Sequence, residues 1–407
     1  MVEFAPAARV QALPPNFWGE MDREIARLGA QPGPRMIDVS KGNPDLPTPE
    51  HIVTAMQREV ADAANHRYPS YAGRARFREA VALRYRDDHG VEIDPDAQVA
   101  VFHGSHEAIM AAVLSRVDPG TTVVLPDPGY PMYTSATDLA GGRIASVPLS
   151  EPGYQPDFAA LDGLDEAALL LLNYPNNPTG ALATPAAFEE AIAFSLRTGA
   201  SFVHDFAYSS LGFDGRAPLS ALAVDRELAV TVEAQTLSKT YSMAGWRIGF
   251  AAGNTSLVTA MKKYQSQAFS TMFGASQEAA AAALGGDQTA ARELVGVYQR
   301  RRDLVVSGLR RLGWDVVEPE GTFFVWVRLP EAAAAEGGAI GFAARLREEA
   351  RVAVAPGEGF GPRGAGHIRL GLVSDDATLH ELIERLDAFT RTSGRIVAPG
   401  PTRQEND

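Results

Sequence analysis

Cysteine is absent from the 407-residue chain. That excludes disulfide frameworks, cysteine-ligated zinc, iron–sulfur clusters and a thiol nucleophile. No stretch approaches the ~18 consecutive apolar residues that a membrane span requires. The opening Met1–Val10 carries Glu3 and no apolar core of signal-peptide length, so a cytoplasmic protein with no membrane partner is expected. Basic residues are outnumbered: 37 Lys+Arg against 50 Asp+Glu give a net charge of −13. Without a basic stripe to neutralise phosphates, no nucleic-acid partner is expected, although a local pocket for one small anion remains open. What is present is ordinary for a globular protein: 45% hydrophobic and 21% charged residues. At ~150 residues per domain the length suggests two or three domains, with a core large enough to need no staples.

The first 45 residues are rich in Pro and Gly around one amphipathic stretch at 17–28. Helical patterns follow at 49–60 and 75–89. Then a strand–turn–helix rhythm begins, with apolar runs at 98–103, 121–125, 167–172, 200–204, 228–232 and 248–252. Runs of this length between helical patterns predict a mostly parallel sheet covered on both faces. Segment 291–312 spaces Leu294, Val297, Tyr298, Leu304, Val305, Leu309 and Leu312 as one long helix. After it, strands at 322–327, 352–354 and 367–372 with helices at 340–349 and 376–390 predict an α+β unit. Residues 394–407 read as a loose tail.

Ligands of open α/β sheets bind beyond the carboxyl ends of the strands, and polar residues collect at those ends here: Ser105, Tyr130, Asn177, Asp205 and Ser238-Lys239. Gly104-Ser105-His106-Glu107 sits between a strand and a helix, where free N–H groups and a hydroxyl cradle phosphate; an ordinary N-cap serine reads equally well. Tyr174–Gly180 carries two prolines that fix the backbone and Asn177, whose side chain donates to an oxyanion. Taken alone it is also a plain proline-rich turn. Asp205, held deep at a strand end at the edge of the sheet, needs a cationic partner, and Tyr208 follows three residues later. Lys239 follows an apolar run and precedes Arg247 by eight residues. A buried lysine serves as a Schiff-base nucleophile, and the arginine fork suits phosphate.

Together these residues resemble the fold-type I pyridoxal-phosphate aminotransferases of class I/II, over nearly the whole chain. Within them the chain looks most like the LL-diaminopimelate and alanine-aminotransferase-like group. The segments responsible are 41–49, 66–73, 127–131, 174–180, 204–208 and 238–249. The resemblance implies an aspartate-aminotransferase-like α/β fold. In it, 46–290 forms a large domain with a mostly parallel mixed sheet flanked by helices, and 1–45 with 291–393 forms a smaller α+β domain. It further implies that Lys239 holds pyridoxal 5'-phosphate as a Schiff base, with Asp205 keeping the ring nitrogen protonated. Asn177 and Tyr208 would bond the ring oxygen, and Tyr130 would stack on the ring. Ser105, His106, Ser238 and Arg247 would hold the phosphate, joined by Tyr68 from the partner subunit of a homodimer. Arg369 would pair with the substrate α-carboxylate, with Gly42 and Asn177 lining that pocket. Catalysis would fall to Lys239, Asp205 and Tyr208. The implied activity moves an amino group between an L-amino acid and a 2-oxo acid through a pyridoxamine phosphate form.

Some positions depart from that pattern. Thr236 and His106 replace the group's usual residues, and the segment 262–273 lacks the Asn and Asp-Ser-Gly typical of the diaminopimelate subgroup. These bear on the substrate rather than on the cofactor site. Gly359–Gly364 matches G-x-G-x-x-G but precedes a strand pattern, so no dinucleotide site is expected. His103 and His106 straddle a strand–helix junction without further ligands, so no metal is expected. Two other functions share the same sequence features. One is an aminotransferase-like enzyme of secondary metabolism catalysing elimination, replacement or C–C bond formation at Cβ or Cγ. The other is a non-catalytic cofactor-binding regulator, against which stand the acidic charge and the short segment, ~45 residues, before the enzyme-like part.

Overall fold

The computed structural model describes residues 4–14, 17–330 and 337–393; the tail expected at 394–407 lies outside them. After a first short strand, β1 (Ile37–Asp38), eight strands form the large sheet. They are β2 (Val99–Phe102), β3 (Thr122–Asp127), β4 (Arg143–Ser150), β5 (Gln155–Pro156), β6 (Leu169–Asn173), β7 (Ser201–Asp205), β8 (Thr231–Thr236) and β9 (Gly249–Gly253). Their spatial order is β2-β9-β8-β7-β6-β3-β4-β5. The pairs β8·β7, β7·β6, β6·β3 and β3·β4 are parallel, whereas β9 and β5 run antiparallel to their neighbours. This is the mixed, mostly parallel α/β sheet that the resemblance leads one to expect.

β6 shows why the sheet is covered on both sides. Leu169 and Leu171 join Val203, Val232 and the helix Ser105–Arg116 in one core, while Leu170 and Leu172 join Phe202 and the helix Pro185–Thr198 in another. Successive side chains alternate faces, so a strand buried twice must be apolar throughout. Each such leucine contributes about 1.5–3 kcal/mol. The helix Pro185–Thr198 is set by its ends: Thr184 accepts from the Ala187 N–H, Pro185 opens the first turn, and Gly199 closes it at φ 74°.

Several boundaries match the expectation closely, among them Glu50–Ala61, Ala75–His89, Thr289–Arg311 and β13 (His367–Gly371). The strand expected from 228 begins at Thr231 instead, because Leu228 turns the chain at φ 51°. Asp205 is not at the sheet edge: β7 is the fourth of eight strands. The helices Met132–Ala140, Pro185–Thr198, Thr255–Ala268 and Gly274–Gly285 carried no expectation. The last is buried nearly all round, and a helix without a wet face shows no amphipathic period.

A third core gathers the C-terminal elements. β10 (Phe324–Arg328), β13 and β12 (Ala355–Pro356) form an antiparallel sheet, and β1 pairs in parallel with β11 (Val352–Ala353). Tyr298, Val305 and Leu309 of the helix Thr289–Arg311 pack against Phe323, Val325, Ile368 and Leu370. Two arginines of that helix are buried: Arg301 forks onto Asp45 at 2.8 and 2.9 Å, and Arg302 onto Asp214. Arg369 stands mid-strand in β13, opposite Trp326 of β10 and Ala355 of β12.

Candidate active site

The parallel strands end side by side. Asn173, Asp205 and Ala234 are register neighbours across β6, β7 and β8, which is where an open α/β sheet offers a ligand crevice. A cavity of about 310 Å³ opens there. Its walls include Gly42, Ser105, His106, Tyr130, Asn177, Asp205, Tyr208, Ser238, Lys239, Arg247 and Arg369. Of the residues that the resemblance assigns to the site, Tyr68 alone is elsewhere: it is 89% exposed and does not line its own chain's cavity. A larger cavity of about 610 Å³, with Arg84, Tyr85 and Gln235 in its walls, contains none of them.

Lys239 lies in the single helical turn Leu237–Thr240 directly after β8, which Thr236 opens by accepting from the Ser238 N–H. Its Nζ donates to the Gly42 carbonyl at 2.9 Å and lies 5.4 Å from the Phe323 ring centre. Loss of solvation, aided by the charges of Arg247 and Arg369, draws the ammonium down to about 8. The whole chain has four lysines: Lys41, Lys239, Lys262 and Lys263. Lys41 also reaches the cavity, but its hydrogen bond to Asp22 pushes it up, with Asp38 adding to the effect. Lys262 donates to the Asp96 carbonyl, outside the cavity.

Asp205 is buried, and among the described residues it makes no salt bridge. Its Oδ2 accepts from the Tyr133 hydroxyl at 2.7 Å and its Oδ1 from the Ala207 N–H at 3.2 Å. Burial pushes its carboxyl above the ordinary value, with the Tyr133 hydrogen bond acting against that. Asn173 ties the neighbouring strand end. Its amide donates to the Asp205 carbonyl and its Oδ1 accepts from the Asn177 N–H, both at 2.8 Å. Asn176 in turn accepts from the Thr179 N–H and hydroxyl. The loop after β6 is thereby locked. Tyr208 is buried with its ring edge against Phe323 and Phe324, and burial pushes its phenol up, as it does that of Tyr130.

A second cluster forms at the start of the helix Ser105–Arg116. Gly104 precedes it at φ 89°, and a Cβ there would sit 2.7 Å from Arg247 Nη2. Arg247, itself in the left-handed region at φ 54°, donates to the carbonyls of Ala244 and His103 and makes no salt bridge among the described residues. Ser238 Oγ lies 2.8 Å from Thr236 Oγ1. Free helix-start N–H groups, hydroxyls and an unpaired guanidinium make an anion site. His106 faces it with its imidazole drawn down by burial. His103 instead pairs with Glu107 at 2.7 Å. No group of three or more His, Asp or Glu placed for a metal ion occurs among the described residues.

Across the cavity Arg369 is 2% exposed. Its Nη1 donates to Asn177 Oδ1 at 2.7 Å and its Nη2 to the Ser40 carbonyl at 2.6 Å, while Nε is buried without a partner. Trp18, Phe324 and Phe360 rings stand 5.1, 3.8 and 4.7 Å from its guanidinium carbon. No carboxylate of the described chain answers the charge. Burial draws its guanidinium well below the ordinary value, to about 10. Gly42 is required beside it, since a Cβ would meet the tip of Phe324 at 2.4 Å.

Sequence reasoning missed Tyr133, Asn173 and Trp18 as site residues. Asn173 had a signal, its place at a strand end. Tyr133 and Trp18 had none, because an unnoticed helix and the distant segment 17–29 deliver them. The departing segment 262–273 runs from the helix Thr255–Ala268 into exposed Phe269 and Phe273 and does not line the cavity. The glycines 359–364 form two short turns before β13.

The family model for aminotransferase class I and II matches residues 34–386. An L-glutamine–4-(methylsulfanyl)-2-oxobutanoate aminotransferase of Bacillus subtilis (strain 168) is 41% identical over 398 residues, covering 96% of this chain and 99% of that protein. An LL-diaminopimelate aminotransferase of Desulforudis audaxviator is 42% identical over 388 residues, covering 95% and 98%. Among solved structures, substrate-bound BacF from Bacillus subtilis superimposes with a TM-score of 0.90 at 35% identity, covering 95% and 98%. Thermotoga maritima aspartate aminotransferase gives 0.87 at 29%, covering 95% and 100%. No helix among the described residues is long and apolar enough to cross a membrane.

Proposed function

The chain belongs to the class I and II aminotransferases, enzymes that move an amino group between an amino acid and an oxo acid, and from that premise we propose that its cavity holds pyridoxal 5'-phosphate on Lys239. One observation carries the proposal. Of the four lysines Lys239 and Lys41 line the cavity that also contains Asp205; burial draws the Lys239 amine down to about 8, whereas the hydrogen bond to Asp22 pushes Lys41 up. A nucleophilic amine has to shed its proton, and burial beside two guanidiniums favours that.

The remaining residues fit the same group. Ser105, His106, Ser238 and Arg247 line the anion site that suits the phosphate. Asp205, which makes no salt bridge among the described residues, is the carboxylate for the ring nitrogen, while Asn177 and Tyr208 serve the ring oxygen and Tyr130 the ring face. A site of about 310 Å³ is within the range of small-molecule pockets. The cofactor, when bound, supplies an electron sink for the carbanion at the substrate Cα. Lys239, once released, is the base that moves the Cα proton. Arg369 binds the α-carboxylate through its fork, with Gly42 and Asn177 beside it.

We further place 46–290 in a large domain and 1–45 with 291–393 in a smaller one. The working unit is a homodimer in which Tyr68 of one subunit completes the phosphate site of the other. The exposure of Tyr68 outside its own cavity supports this reading. The substrates are an L-amino acid and a 2-oxo acid; the named relatives act on glutamine and 4-(methylsulfanyl)-2-oxobutanoate or on LL-diaminopimelate. Absorbance spectra of the purified protein during addition of candidate amino acids test the reaction type. Donor-dependent conversion to pyridoxamine phosphate, reversed by an oxo acid, supports transamination. Release of an eliminated or replaced side chain without that conversion overturns it.

A further inference from the structure

β7 directs Asp205 and His204 to opposite faces of the sheet, since adjacent strand residues alternate. Asp205 follows Val203 toward the cavity side, and His204 follows Phe202 into the core beneath. His204 has no exposed surface, and its ring stacks 4.7 Å from Phe206 and stands 4.9 Å from Phe188. Both ring nitrogens face oxygen. Nε2 lies 2.8 Å from the Tyr174 carbonyl, and Nδ1 lies 2.9 Å from Glu233 Oε1.

A carbonyl only accepts, so Nε2 carries a proton. Glu233, also without exposed surface, decides the other nitrogen. Its Oε1 receives the Ala221 N–H at 2.6 Å and the Ser220 hydroxyl at 3.0 Å, and its Oε2 receives the Tyr85 hydroxyl at 2.9 Å. The Tyr85 oxygen accepts from Gln235 Nε2, which leaves the phenolic proton for Glu233. A carboxyl group ringed by donors is held ionised. Burial pushes Glu233 up, yet the His204 hydrogen bond and charge, together with the charge of His89 and the Tyr85 hydrogen bond, outweigh it and the group sits below its ordinary value. Nδ1 therefore donates as well. The other titratable groups against the pair are Tyr85 and His89 of the helix Ala75–His89, both disfavoured as ions by burial, and Asp205 on the same strand.

We propose that His204 is a buried imidazolium paired with Glu233 and acts as a positioning residue for the amino transfer. From behind the sheet its charge helps keep the Asp205 carboxylate ionised, and its Nε2–H pins the Tyr174 carbonyl and with it the loop bearing Asn177. A buried cation is costly unless paired and fully bonded, and here every polar atom of the pair has a partner. The inference rests on the reading that Asp205 and Asn177 serve the cofactor.

The test uses the full-length protein without pyridoxal phosphate, with ring-15N-labelled histidine. His204 is assigned through the backbone resonances of Val203 and Asp205. One-bond N–H correlations at both ring nitrogens are the expected result. A ring with a single protonated nitrogen overturns the proposal. In His204→Gln, which keeps a donor for Tyr174 but not the charge, the Asp205 carboxyl carbon should titrate at higher pH than in the wild type. An unchanged midpoint overturns the electrostatic role. Should that variant not fold, the wild-type ring still decides. Both readings need no cofactor, so their failure leaves the Lys239 assignment standing, and failure of that assignment leaves them interpretable.

Discussion

Replacing Arg369 by lysine keeps a cation in the cavity and removes the fork. Burial draws the arginine well below its ordinary value, to about 10. At 1.36 kcal/mol per pH unit this is a cost of about 3 kcal/mol for holding the charge there. No carboxylate among the described residues offsets it; on the proposed reading a substrate carboxylate does. A lysine meets the same desolvation from a lower ordinary value, so it loses its proton more readily than the arginine does, as burial does to Lys239 in the same cavity. It also offers a point charge where two parallel N–H bonds were available. Loss of one charge-assisted bond costs about 1.5–3 kcal/mol. KM for α-amino acids and 2-oxo acids is therefore expected to rise about 10- to 150-fold in Arg369→Lys, and to rise further with increasing pH as the ammonium loses its proton. Cofactor affinity, measured by spectral titration, stays at the wild-type level. The assay compares amino acids with amines of the same side chain but no carboxylate. If the amines lose as much activity as the amino acids, Arg369 is structural and the reasoning fails.

Three further perturbations probe the other side of the cavity. Asp205→Asn should retain cofactor yet lose activity by about 10²–10³-fold, since a neutral amide cannot stabilise a protonated ring; near wild-type turnover removes Asp205 from the mechanism. Tyr133→Phe deletes one of two donors to Asp205, worth about 1.5–3 kcal/mol. Because that donor lowers an acid already raised by burial, its loss should move the Asp205 carboxyl titration upward in the cofactor-free protein and slow turnover about tenfold or more; an unmoved titration contradicts the geometry. Mixing Tyr68→Ala with Lys239→Ala subunits should restore activity above either parent, because one site of the mixed dimer receives an intact lysine and an intact tyrosine. No restoration, or full activity in a wild-type monomer at micromolar concentration, speaks against the shared site.

Much of this site is legible in sequence because its parts are local. Lys239 and Arg247 lie within one short segment, Asp205 and Tyr208 within another, and the apolar runs before them fix which strand ends carry them. Arg369 is legible for the opposite reason: a charge between Ile368 and Leu370 in an apolar strand must have a partner. What is not legible is assembled across the chain. Trp18 reaches Arg369 from the helix Phe17–Gly29, far away in the chain, and Tyr133 comes from a helix too short and too buried to show a period. The His204–Glu233 pair is invisible because each residue alone reads as an ordinary polar interruption of a strand. Only the parallel register of β7 and β8, which sets the two side by side, reveals it.

Borohydride reduction of the loaded enzyme, followed by peptide mapping, tests the central claim most directly, since the chain offers four lysines and the account chooses one. The pyridoxyl group is expected on Lys239, with Lys239→Ala left unlabelled. A pyridoxyl group on Lys41, Lys262 or Lys263 in the wild-type enzyme, with Lys239 unmodified, contradicts the account.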